Sequence, residues 1–240
     1  MNVRIRMTAL FGTAAIGFFG LAAPRWVVRS VVADDPGVLF SVPVKEPIVA
    51  LTIDDGPSTE TEAILEVLAE HEAAATFFFI GDHLEQHPEV GRRVIEQGHE
   101  AGHHMMRDEP SIRLSPEVFA EQFEQTHRLL EELGGSRLFR PGSGWYNDSM
   151  TREVERRGYR MVLGWVYPLD ALIASSTFSS WFIRSNLRPG AIIILHDGGA
   201  RGRRTADVLR AILPDLREQG YRVVTVSELL RHSADTNSGE

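Results

Sequence analysis

Short apolar runs alternate with segments of helical period about seven times across roughly 190 residues, and no other feature limits the fold as strongly. The expected strands are Ile48–Ile53, Thr76–Ile80, Glu100–His104, Leu138–Arg140, Arg160–Val166, Ala191–Leu195 and Arg222–Val226. Between them the spacing predicts helices over Thr59–Glu70, Pro88–Glu96, Pro116–Leu133, Met150–Arg157, Phe178–Ser185 and Thr205–Glu218. Ser115 followed by Pro116 opens the third of these, and Gly134 is placed to close it. Alternation of this kind means parallel strands, so the chain is α/β, either a barrel or a doubly wound sheet. Periodicity leaves both open. In either one, polar residues that follow the strands gather on a single rim, at the strands' C-terminal ends.

Upstream the chain changes character. Arg4 and Arg6 precede an apolar stretch from Met7 to Ala23, the layout of a signal peptide or a short membrane anchor. Residues 1–30 are therefore expected to direct export or membrane attachment, placing the protein outside the cytoplasm. Asp34-Asp35-Pro36-Gly37, Pro43 and Pro47 mark 31–46 as a linker. The folded domain is expected over 47–232, with 233–240 a disordered tail. The 240 residues carry 25 Lys and Arg against 33 Asp and Glu, a net charge of −8, which argues against a nucleic-acid partner. There is no cysteine, so thiolate catalysis, Cys-ligated zinc and disulfides are excluded. Any metal would have to be held by His and carboxylates.

Four segments at strand ends carry chemistry. In Thr52-Ile53-Asp54-Asp55-Gly56-Pro57, two adjacent carboxylates are costly unless neutralised; one can coordinate a cation while the other acts as a base. In the segment from Gly98 to Asp108, His104 and Asp108 are four apart, which puts them on one face if the turn after the strand is helical. His99 and His103 have the same spacing, so spacing alone leaves the register open; both read as structural or solvated. His71, His83, His87, His127 and His232 receive no role. Arg140 heads a Pro-Gly-Ser-Gly turn, whose backbone N–H groups can face a developing oxyanion. The run Ile192–Leu195 reads as a buried central strand that delivers His196 to the rim, well placed as a general acid.

From Pro47 to Leu230 these motifs resemble, in order and spacing, those of the polysaccharide deacetylases of carbohydrate esterase family 4, the NodB homology domain. The resemblance implies an irregular (β/α)7 barrel and hydrolysis of an N- or O-acyl group, most simply acetyl, on a carbohydrate. It makes Asp54 the general base, and Asp55 and His104 ligands of a divalent metal ion (Zn, or Mn or Co). It settles the second motif on His104 and puts Asp108 where the family has a second metal-binding His. Arg140 matches the third motif, in which the Ser143 N–H is left to bind the oxyanion. Asp170 aligns loosely with the fourth motif and orients His196, the general acid of the fifth. Leu195, beside it, is assigned to the substrate-binding wall. The family's Trp in the fourth motif is Ala171 here, with Trp165, Tyr167 and Trp181 near enough in sequence to fill the space. The partner is then an acetylated carbohydrate, with membrane association through the N-terminal segment. Two alternatives stay open: a metal-free or inactive carbohydrate-binding pseudoenzyme of the same fold, supported by Asp108, and a hydrolase of non-sugar amides.

Overall fold

The computed structural model describes residues 37–237. The expected signal peptide or anchor at 1–30 lies outside the described residues. Among those described, no helix is long and apolar enough to cross a membrane.

Strand β2 (Ile48–Gly56) is the hub, and all nine of its residues are buried. It pairs in parallel with β3 (Ala75–Phe79) and with β7 (Ile192–His196), while β8 (Arg222–Val224) joins its N-terminal end. From β3 the sheet continues through β4 (Glu100–His103), β5 (Leu138–Phe139) and β6 (Arg160–Val162), all parallel. The chain beyond β6 then closes the ring: Val166 bridges Ile193 of β7, and the Ile194 N–H donates to the Val166 carbonyl at 2.9 Å. The architecture is the irregular barrel type; the doubly wound alternative would leave this edge open. Helices α1 (Thr61–Glu70), α2 (Gly81–Gln86), α3 (Pro88–Glu96), α4 (Pro116–Leu133), α5 (Asp148–Arg156), α6 (Ser176–Asn186), α7 (Gly199–Glu218) and α8 (Val226–Asn237) complete the described fold.

Burial on two faces explains why β2 and β7 read as continuous apolar runs. Their outward residues, Val49, Leu51, Ile53, Ile193 and Leu195, form one core with apolar residues of α1 and α7, including Leu68 and Leu209. Their inward residues Ile48, Ala50 and Ile192 fill the barrel with Phe78, Leu138 and Val162. Gly102 belongs to this interior, because a Cβ there would come within 2.8 Å of the Phe78 ring.

Four expectations change. The linker assigned to 31–46 is not all linker. Val38–Leu39 forms β1, paired in parallel with β6, and Val42 donates to the Gly190 carbonyl. Two residues of strand carry too little periodicity to be seen in sequence. Residues 233–237 belong to α8 rather than to a disordered tail. Helix α2 was missed because six residues hold fewer than two turns. Helix α7 begins at Gly199, not Thr205, since the glycines at 198, 199 and 202 imitate a loop. Helix α4 has the expected bounds: Ser115 accepts from the Val118 N–H, and Gly134 takes the left-handed conformation at φ 79°.

Candidate active site

Consecutive residues of a regular strand point to opposite faces, so Asp54 and Asp55 should diverge. They do not. The pairing of β2 with β3 slips between Asp54 and Gly56, and Asp55 adopts φ 69°. This bulge leaves both carboxylates buried at the same strand end. The Asp55 conformation is unusual for a residue with a side chain. It is held by His83 of α2, whose Nδ1–H donates to the Asp55 carbonyl at 2.7 Å. His83 was given no role from sequence, because the helix that carries it is too short to be read.

Asp54 is gripped by Arg140, whose Nη1 donates to Asp54 Oδ1 at 2.5 Å and to Thr52 Oγ1 at 2.7 Å. The same guanidinium donates through Nε to the Val162 carbonyl at 3.1 Å and through Nη2 to the Leu163 carbonyl at 3.2 Å. It lies over the Phe78 ring, 4.2 Å from its centroid. Arg140 is 2% exposed, and its planar fork suits this many fixed acceptors.

Asp55 faces an imidazole and a guanidinium. Its Oδ1 is 3.4 Å from His104 Nε2, and its Oδ2 is 2.8 Å from Arg201 Nη1. Burial pushes the Asp55 carboxyl up, but its bond to His104 and the charges of His104, His196 and Arg201 outweigh this and hold it at about 2. His104 donates from Nδ1 to the Arg140 carbonyl at 2.8 Å, which turns Nε2 toward Asp55. Burial pushes the His104 imidazole down; the bond to Asp55 and the charges of both carboxylates reverse that and raise it.

His196 stands beside Asp54, since the two are paired across β2 and β7. Asp170 accepts from the His196 backbone N–H at 2.9 Å and from its Nδ1–H at 3.0 Å, which leaves Nε2 outside this pair. Burial opposes protonation, yet the Asp170 bond and charge, with Asp54 and Asp55, raise this imidazole to about 9. His196 should therefore titrate near pH 9 when followed by NMR, and Asp170→Asn should bring it down toward the ordinary 6.5. A raised pKa means that the protonated form favours folding. This contribution is complete below pH 6.5 and fades as pH rises through 9. A His196 that titrates at 6.5 in the parent protein would remove Asp170 as its partner.

Asp108 needs correcting. The turn after β4 is not helical: Met105 takes φ 67°, and residues 106–109 run as bends. The condition that would place His104 and Asp108 on one face fails, and Asp108 is exposed. Among the described residues no three His, Cys, Asp or Glu side chains come together as a metal site. A catalytic zinc centre is held by three protein ligands. Asp55 and His104 alone do not make one, and the second oxygen of Asp55 is already paired with Arg201. The residues present do not fit the three-ligand metal centre implied by the resemblance.

Leu195 needs correcting too. It is fully buried in the outer core, whereas His196 lies on the opposite face of β7. Ile194 shares the His196 side by strand alternation, and a Cβ on Gly164, in the segment after β6, would meet Ile194 at 2.5 Å. Assigning the wall to Leu195 was a one-residue slip. Ser143 is exposed in a turn with φ 63°, where the N–H groups of Gly142 and Gly144 are already taken by Ser111 Oγ and the Pro141 carbonyl. Of the aromatic candidates near Ala171, Tyr167 is at the site, its ring 5.7 Å from that of His196. Trp165 packs against the outer core under Arg188, and Trp181 is exposed on α6. His99 and His103 are buried and structural; His103 stacks on Phe123 and bonds its carbonyl.

The polysaccharide deacetylase family model matches residues 41–162, which span the Asp-Asp, His104 and Arg140 segments. A peptidoglycan-N-acetylglucosamine deacetylase of Bacillus cereus is 36% identical over 200 residues, covering 81% of this chain and 93% of that protein. This chain belongs to the polysaccharide deacetylase family. A chitooligosaccharide deacetylase of Rhizobium leguminosarum bv. trifolii is 31% identical over 188 residues, covering 71% of this chain and 86% of the relative. The crystal structure of a peptidoglycan N-acetylglucosamine deacetylase superposes with a TM-score of 0.77 at 28% identity, covering 81% of this chain and 93% of the other. The family is generally metal-dependent. Within the site, Arg201 joins His83 among the residues that sequence reading passed over; its signal was three arginines at 201, 203 and 204 soon after His196.

Proposed function

We propose that the protein is a hydrolase that removes an acyl group, most simply acetyl, from an N- or O-acetylated carbohydrate. The observation that carries this reading is the placement of Asp54 and His196 side by side on paired strands, each fixed by its own partner. One is a proton acceptor and the other a proton donor, as hydrolysis of an amide or ester requires. Asp54 accepts a proton from water, and the water oxygen adds to the acyl carbon. In this reading the oxyanion is met by the Ser143 N–H, in the turn that follows Arg140. As the C–N or C–O bond breaks, His196 gives its Nε2 proton to the leaving amine or alcohol, and acetate departs.

The relatives are named for peptidoglycan and chitooligosaccharide deacetylation, which favours an acetamido sugar as substrate. The apolar stretch from Met7 to Ala23 favours an exported or membrane-attached enzyme, where such polymers are met. Among the described residues, the divalent ion expected from sequence has Asp55 and His104 as converging donors and no third, so no step is written through it. The exposed position of Asp108 favours a second reading, a binding protein that keeps the fold without turnover. Acetate release from chitooligosaccharides and from peptidoglycan separates the two. Asp54→Asn should keep the fold and lower turnover by roughly 10²–10⁴-fold, because an amide cannot take the proton. Glycan binding with no acetate release by the parent would establish the second reading instead.

A further inference from the structure

We propose that Arg201 is the resident cation of this centre, a guanidinium that occupies the carboxylate which the resemblance assigns to a divalent ion. Three observations converge on it. Asp55 has both oxygens committed, Oδ1 toward His104 and Oδ2 to Arg201 at 2.8 Å. The third expected ligand, Asp108, is exposed on a bend instead of joining them. Arg201 itself lies in the first turn of α7, against the positive end of the helix dipole, where a cation is disfavoured unless a carboxylate answers it. Asp55 is that carboxylate. The Arg201 head also lies near the site's glycine loop, with Nη2 3.9 Å from the position a Cβ on Gly198 would take. One-third of its side chain remains exposed, so it faces the open rim and not the core.

An ion bound to Asp55 would meet a full positive charge on the same carboxylate. Repulsion between a dication and a monocation at this range opposes binding, so the guanidinium and the ion compete for the one carboxylate. In the proposed hydrolysis, on which this consequence rests, the N–H donors of Arg201 not used on Asp55 supply positive charge to the acyl oxygen. Acetate release by the parent would then survive chelation.

The test reads ion binding and needs no turnover, so it fails separately from the proposed activity. The full chain and its variants are stripped with chelator, checked for fold by circular dichroism, and titrated with CoCl2 by calorimetry and visible absorbance. The parent and Arg201→Lys should bind weakly. Arg201→Gln should bind one equivalent on the order of tenfold more tightly or better, and Asp55→Asn in that background should abolish the gain. Arg201→Met, which keeps the aliphatic stem, serves in its place if the Gln variant does not fold. A parent that takes one equivalent as tightly as Arg201→Gln overturns the proposal, and so does an Arg201→Gln that gains nothing. Equal gain in Arg201→Lys would show that charge is not what excludes the ion. Gain that persists without Asp55 would place the ion elsewhere. Either result also overturns it.

Discussion

His196→Ala should lose roughly 10²–10⁴-fold in turnover of an acetamido sugar while sparing an activated aryl acetate. An amine is a poor leaving group unless protonated as the C–N bond breaks, whereas an activated phenolate departs without help. The geometry prepares His196 to donate that proton. Asp170 receives Nδ1–H and backbone N–H together, so the ring cannot turn and Nε2 carries the transferable proton. At neutral pH the imidazole is protonated before substrate arrives, since its pKa stands at about 9. The measurement is initial rates of both substrates for parent and variant, with fold verified. Equal losses on amide and ester would reject His196 as the general acid and leave it a binding role.

The largest stability effect is expected at Arg140. Arg140→Met keeps much of the volume but strips Asp54 of its charge partner inside a closed barrel. Breaking a buried ion pair by removing one member costs about 3–5 kcal/mol, because the other charge is left uncompensated. For a domain of this size that lowers Tm by on the order of 10 °C. The Val162 and Leu163 carbonyls lose their guanidinium donors as well. Arg140→Lys should recover part of the loss, as one charge without the fork reaches fewer acceptors. The decisive comparison is Arg140→Met with and without Asp54→Asn. Removing the stranded charge should return some of the lost stability. Thermal unfolding that shows no recovery in the double variant would mean that Arg140 acts through packing and carbonyl bonds alone.

Much of this molecule was legible in the chain because it rests on local rules. Strands β2 and β7 are apolar on both faces, so their hydrophobic runs survive any reading, and the residues that follow them had to reach one rim. Asp54, Asp55, Arg140 and His196 were found in this way, at strand ends separated by long stretches of sequence, whereas His104 and Asp170 needed the family resemblance to be singled out. Helix α4 showed both of its ends through Ser115 and Gly134, residues that act within a few positions of themselves.

Other features depended on distance in space, and no periodicity reports that. Whether the strands closed into a ring was decided by Val166 meeting Ile193, a contact made only after six strands have accumulated their twist. Asp54 and Asp55 share one rim because of a bulge, which an ideal strand would not contain. His104 and Asp108 part company because Met105 takes a left-handed turn, so a spacing of four lost the helical meaning attached to it. His83 and Arg201 came to the site on helix ends that glycines or short length concealed. The sequence by itself determined that polar residues following the strands meet on one rim, since burial and alternation are written locally. Only the tertiary structure decided which charges pair across it, because a partner is chosen by proximity between elements far apart in the chain.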